Sequence, residues 1–320
     1  MALFDRLHRS ATIAHVRLLW GRYWLLPLLP TLYAAAIAGI GGLRPAYVIV
    51  ALAVAALGFG TTVTKRFVSI AYPLLFIGVA YDLYGYAQPI LLAKAVNGCW
   101  ARNFELNLFA VAPNTIWQDY LEIHHTPFLD LFFSVPYGGF LVILAGYAAY
   151  LSFVDQLRAR QFIWAVTITY LTAIVIWMAV PTSPPWYVRA YGCVIDVSAP
   201  ASAGGLVRVD HMLGITYFQE FYSHSPAIFA AFPSMHCAFP VVALIVGWRR
   251  ATWITRPIHV FYALAMFIGS VYLDHHWIID GIAGWCVAAA GAFASSLILA
   301  RLGYSPPRGE RLDPDAVIVT

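Results

Sequence analysis

Eight stretches of this chain are too long, too apolar and too poor in charge to sit in water: they lie near 23–41, 45–61, 68–88, 128–151, 162–180, 232–248, 257–273 and 278–300. A helix needs about 20 such residues to cross the hydrocarbon of a bilayer. In lipid every backbone polar group must be satisfied internally, so only helices and closed barrels can span. The alternating polar and apolar residues of a barrel strand are absent. These stretches therefore predict an all-α integral membrane protein with about eight transmembrane helices. Composition agrees, because 61% hydrophobic against 11% charged residues leaves too little polar surface for a soluble domain of 320 residues.

Basic residues set the orientation. Arg6, Arg9, Arg17 and Arg22 precede the first stretch; Lys65 and Arg66, Arg158 and Arg160, Arg249, Arg250 and Arg256, and Arg301, Arg308 and Arg311 follow every second one thereafter. The positive-inside rule makes those segments and both termini cytoplasmic. The long segments near 89–127 and 181–231 then face the extracytoplasmic side, periplasm or lumen. The net charge of +4 follows this topology and marks no nucleic-acid face. "LLPLLPTLYAAAIA" has the look of a signal peptide, but an arginine-bearing segment of some twenty residues precedes it, so it reads as an uncleaved helix.

The sequence divides into a single polytopic membrane domain over 1–303 and a proline-rich, polar cytoplasmic tail over 304–320. Within the first outward segment, "NTIWQDYLEIHHTPFLD" mixes aromatic and acidic residues as an amphipathic helix at the interface would. Cys99 and Cys193 both fall in outward segments, where a bridge is permitted and two free thiols fit equally well.

Chemistry gathers at the outer ends of the last spans. "FPSMHCAFP" opens the sixth with a proline, a serine and His236, and "YLDHHWIID" joins the seventh to the eighth. Ionisable residues at membrane depth are rare enough to read as functional. His276 and Asp280 stand four apart, on one helical face, so the carboxylate can hold one ring nitrogen. The charge-derived topology brings His236 to the same leaflet. A capping aspartate beside an interfacial histidine is the plain alternative for the pair alone.

Two histidines and an aspartate suit phosphoryl transfer, with one histidine attacking phosphorus and the other protonating the departing alkoxide. The helix opening at "FPSMH", with Pro233 in its first turn and Ser234 beside it, offers backbone N–H groups to an anion. Arg189 and Arg208 supply cations, and Gly204 and Gly205 let backbone approach a ligand. Asp274, His275, His276 and Asp280 are also of the kinds zinc takes. Adjacent His275 and His276 would project about 100° apart on a helix, which suits joint ligation poorly. No metal and no other cofactor is expected.

"FPSMH" resembles the second motif, and "SVYLDHHWIID" the third, of the type 2 phosphatidic acid phosphatase superfamily. With "PPWY" at 184–187 and "GGLVRVD" at 204–210, the four in this order resemble its aureobasidin-resistance branch, the inositol phosphorylceramide synthases. The resemblance spans 181–284. It implies that His276 is the nucleophile, Asp280 its orienting partner, and His236 the acid toward the leaving group and base toward the acceptor. The broad superfamily carries an arginine six residues before the nucleophile, where this chain has Ser270, and its first motif is not recognisable here. The synthase branch also tends to lack that arginine, which makes Arg208 the substitute.

The expected activity is transfer of a phosphorylated head group from a phospholipid donor to a lipid alcohol such as ceramide. The alternative is a phosphatase acting on a lipid phosphate or polyprenyl diphosphate, with water as acceptor. A transporter is disfavoured, since Asp82 and Asp155 lie at or near span ends rather than along a path.

Overall fold

The computed structural model describes residues 14–92, 98–223, 225 and 227–304. Arg6, Arg9, Arg308, Arg311 and all of the polar tail beyond Tyr304 lie outside the described residues. The chain forms two compact units, Met1–Leu75 and Phe76–Thr320.

The first unit holds α1 (Leu29–Gly39), α2 (Pro45–Gly60) and α3 (Thr62–Ala71). Leu19, Trp20 and Val68 form its buried cluster, and the Trp20 indole donates to the Gly58 carbonyl at 2.7 Å. Thr61 ends α2 in extended backbone and caps α3, exchanging hydrogen bonds with Thr64 as a capping box. Helix α4 (Leu74–Leu92) starts at the boundary and runs into the second unit.

The second unit continues with α5 (Trp100–Leu108), α6 (Trp117–Ile123), α7 (Pro127–Gly138), α8 (Phe140–Val154) and α9 (Gln156–Ala179). Three short helices follow, α10 (Pro185–Tyr191), α11 (Leu206–Leu213) and α12 (Tyr217–Ser223), and then α13 (Met235–Gly247), α14 (Thr255–Tyr272) and α15 (Ile278–Arg301). Among the described residues there is no β-strand, only two isolated bridges.

Among the described residues, helices α9 and α15 are each long and apolar enough to cross a membrane, and the number rises to four if α3 with α4, and α7 with α8, each form one broken span. All eight apolar stretches are helical, but not all as continuous rods. The stretch expected at 128–151 bends by 46° between α7 and α8, where Pro136 and the Gly138–Gly139 pair interrupt the helical ladder. Leu141, Val142 and Phe153 lie exposed along α8, an apolar face suited to lipid rather than water.

The amphipathic segment also differs from expectation. It is not one helix: α6 ends at Ile123, and α7 begins at Pro127 with Thr126 extended and capping Leu129 N. The residue before a proline is pushed out of helical backbone, which sets the break.

Small residues let α15 dock closely. A Cβ at Gly291 would collide with the Thr169 hydroxyl on α9, and one at Gly284 with the Ser234 carbonyl at the start of α13. Two glycines seven apart share a helical face, so backbone meets backbone there. That contact brings the start of α13 against the first turns of α15.

Candidate active site

The N-terminal ends of α13 and α15 are joined directly. Ser234 N donates to the Asp280 carbonyl at 2.9 Å, and the Ser234 hydroxyl accepts from Cys237 N at 3.3 Å. Ser234 is therefore the cap of α13, and Pro233 stands before the helix rather than in its first turn. The segment leading into α13 is strapped to "PTSPPWY" by bonds from Thr182 N to the Phe229 carbonyl and from Ala231 N to the Thr182 carbonyl.

The loop between α14 and α15 carries the remaining groups. Asp274 adopts left-handed backbone at φ 64°, uncommon for a residue with a side chain. His275 N and His276 N both donate to the Ser270 carbonyl at 3.1 Å. Ser270 is fully buried, its hydroxyl donating to the Phe267 carbonyl and lying 3.4 Å from Cys237 Sγ.

His236, His276 and Asp280 come together in this frame. His276 Nδ1 lies 3.0 Å from the Ala231 carbonyl and 3.4 Å from Asp280 Oδ2, and its Nε2 lies 3.3 Å from His236 Nδ1. Asp280 Oδ2 also accepts from Trp277 N at 2.9 Å. The His236 ring stacks on Tyr137, with centroids 4.3 Å apart, and packs against Phe140. Burial pushes the His276 imidazole down to about 4, leaving it neutral at neutral pH.

Asp274 and His275 turn elsewhere. His275 Nε2 meets the Ala203 carbonyl at 2.8 Å, and Asp274 forms a two-pronged ion pair with Arg189. Among the described residues no three His, Cys, Asp or Glu side chains are arranged to hold a metal ion.

Both arginines picked out in the sequence are engaged by carboxylates. Arg208 reaches Glu122 at 2.6 Å, Asp130 at 3.0 Å and the Tyr272 carbonyl at 3.4 Å. Arg189 adds Asp119 at 3.4 Å and Glu122 at 3.8 Å to its pair with Asp274. Gly204 and Gly205 serve this packing: Gly205 N donates to the Leu273 carbonyl at 2.7 Å, and a Cβ at Gly205 would lie 2.7 Å from the Arg208 guanidinium.

Three groups at the site escaped the sequence reading. Glu105 is fully buried and accepts from Ile279 N and from Gln118 Nε2, both at 3.1 Å. The same Gln118 nitrogen lies 3.1 Å from the His276 carbonyl. Tyr137 supplies the ring under His236. Neither Glu105 nor Gln118 stood out in the sequence, because their partners at His276 and Ile279 lie more than 150 residues away in the chain. Cys99 and Cys193 are disulfide-bonded, resolving the alternatives left open by the sequence.

A helical protein apolar enough for a membrane, with a buried His276, a part-buried His236 and an aspartate brought together, has the form of a membrane phosphotransferase or phosphatase. The PAP2 superfamily model matches residues 114–294, more than half of the chain, and the chain belongs to that superfamily. It is 26% identical over 257 residues to phosphoinositol dihydroceramide synthase of Bacteroides thetaiotaomicron, an alignment covering 78% of this chain and 83% of that protein. It is 31% identical over 180 residues to inositol phosphorylceramide synthase catalytic subunit aur1 of Schizosaccharomyces pombe, covering 54% of this chain and 42% of that one. With inositol phosphorylceramide synthase of Candida albicans the identity is 32% over 169 residues, covering 50% and 34%. The chain thus spans less than half the length of these two fungal relatives. No solved structure gives a significant match.

Proposed function

We propose that the protein is a lipid phosphotransferase that moves a phosphorylated polyol head group from a phospholipid such as phosphatidylinositol to a lipid alcohol such as ceramide, releasing diacylglycerol. The observation that carries this reading is the position of His276, with Nδ1 held between Asp280 and the Ala231 carbonyl and Nε2 facing His236. The names of the relatives support the same substrates.

In the first half-reaction His276 Nε2 attacks phosphorus and the bond to the diacylglycerol oxygen breaks, that oxygen taking a proton from His236. In the second, the acceptor hydroxyl gives its proton to His236, its oxygen bonds to phosphorus and the phosphorus–nitrogen bond breaks. Asp280 fixes the His276 tautomer and stabilises the charge that develops on its ring. Nothing in these steps calls for a metal.

The residues from 1 to 303 form a polytopic membrane protein of about eight spans, with the site on the extracytoplasmic side and the termini in the cytoplasm. The arginine and lysine distribution supports that orientation. So does the Cys99–Cys193 disulfide, since such bonds persist in oxidising compartments.

The test of function is turnover of a radiolabelled phospholipid panel by purified protein, with and without ceramide. A labelled lipid product identifies a transferase. Labelled water-soluble phosphate, unaffected by ceramide, would replace this reading with the phosphatase one.

A further inference from the structure

A cleft of about 510 Å³ opens beside the nucleophile loop, lined by Glu122, Trp186, Arg189, Ser202, Gln219 and Asp274 among others. That volume suits a small polar head group with its phosphate. Its walls are tied to the catalytic loop: Trp186 N donates to the Asp274 carbonyl at 3.2 Å, and a Cβ at Gly204 would lie 3.3 Å from the His275 ring. Asp274, which lines the cleft, belongs to the loop that carries His276 two residues further on.

The charges around the cleft are paired internally. Arg189 bridges Asp274, Asp119 and Glu122, while Arg208 bridges Glu122 and Asp130. Arg102 adds a bond to Asp119 at 2.8 Å. Three guanidinium groups face four carboxylates, one negative charge in excess, but every carboxylate is already paired with a guanidinium, so the network offers a second phosphate no free cation and a quaternary ammonium no unpaired carboxylate. What it does offer is alternation: carboxylate oxygens keep spare lone pairs and guanidinium groups keep spare N–H bonds. A hydroxyl both donates and accepts, so a ring of neighbouring hydroxyls matches such a rim. Trp186 supplies an aromatic wall for the C–H face of a sugar-like ring.

We infer that this cleft recognises the uncharged, hydroxyl-rich ring of the donor head group, with Glu122 and Asp274 accepting from its hydroxyls and Arg189 and Arg208 holding those carboxylates in place. The inference rests on the phosphotransferase reading above. It changes the part played by the two arginines, which organise acceptors for hydroxyl groups instead of binding the transferred phosphate.

The experiment compares phosphatidylinositol, phosphatidylglycerol, phosphatidylcholine and phosphatidic acid as donors for the full-length protein in lipid nanodiscs. The parent protein should prefer phosphatidylinositol to the other three. Glu122→Gln keeps the shape at a partly exposed position, and Gln219→Ala alters an exposed one. Each should reduce the kcat/KM ratio of phosphatidylinositol to phosphatidic acid about tenfold, as loss of a hydrogen bond to a charged or polar group does. Free inositol should compete with phosphatidylinositol. Turnover of all donors at ratios unchanged by both variants would overturn the head-group site alone, as would a parent preference for phosphatidylcholine. Turnover of none would remove the phosphotransferase reading itself.

Discussion

His236 and His276 face each other ring to ring, His236 Nδ1 lying 3.3 Å from His276 Nε2. Two acceptors, Asp280 and the Ala231 carbonyl, flank His276 Nδ1, so the proton sits there and Nε2 is left as the acceptor. His236 Nδ1 is then the donor, and the lone pair of the proposed nucleophile is covered by the group proposed as its acid. In-line attack needs nitrogen and phosphorus about 3–3.5 Å apart, with the acid a hydrogen bond beyond the leaving oxygen. The two rings must therefore separate when substrate enters.

That arrangement separates the two histidines experimentally. His276→Ala should abolish phosphoenzyme formation. His236→Ala should slow loss of the diacylglycerol alkoxide by about 100-fold or more, yet spare turnover of a nitrophenyl ester, whose leaving group needs little protonation. It should also uncover His276, which diethyl pyrocarbonate should then modify faster. Equal losses on both substrates would remove the acid role from His236.

Gln118 links the buried Glu105 to the His276 carbonyl, and Glu105 in turn holds Ile279 N at the start of α15. Gln118→Ala leaves a buried carboxyl oxygen unpaired and should cost about 1–3 kcal/mol of stability. It should lower kcat about tenfold or more with little change in KM, because a nucleophile displaced by a fraction of an ångström loses alignment rather than binding. Thermal unfolding and steady-state kinetics measured together distinguish this from simple unfolding.

The Cys99–Cys193 bond closes a separation of 94 residues and joins the segment entering α5 to the one leaving α10. Such a bond is typically worth about 2–4 kcal/mol. Reduction in detergent should lower the thermal midpoint by several degrees and reduce activity, since α5 carries Glu105 and α10 carries Arg189. An unchanged midpoint on full reduction, checked by thiol titration, would show that packing alone holds the two segments.

The response of stability to acid is a balance between buried histidines and buried carboxyls. Burial pushes His275 down to about 3 and His276 to about 4 from the ordinary 6.5, so below pH 6.5 the unfolded chain binds protons that the folded chain refuses. Burial pushes Glu105 up from 4.5 and Asp274 up from 3.8, each to about 7, so their effect runs the other way, favouring the folded state as pH falls through that window. Two histidines and two carboxyls largely offset each other. The thermal midpoint should therefore change little between pH 6.5 and 4.5 in the parent and drop in Glu105→Gln, where one of the opposing contributions is gone.

Sidedness is open to direct labelling. In a Cys286→Ser background, a cysteine replacing the exposed Ile215 should react with an impermeant thiol reagent from outside, and one replacing the exposed Trp253 should not. The reverse pattern would put the histidines in the cytoplasm.

The sequence by itself determined that this chain is helical and apolar enough for a membrane, and it marked His236, His276 and Asp280. Both readings rest on local rules: apolar length sets a span, and a spacing of four puts His276 and Asp280 on one face. The expectation of unbroken spans was less complete, because a glycine pair and a proline inside an apolar run do not announce where a helix will bend. Only the tertiary structure decided what Arg189 and Arg208 do. Their charge made them candidates for phosphate, but their partners Asp119, Glu122, Asp130 and Asp274 come from segments far apart in the chain. Glu105 and Gln118 were hidden for the same reason. A buried polar group is defined by what surrounds it, and that is fixed by long-range packing rather than by sequence neighbours.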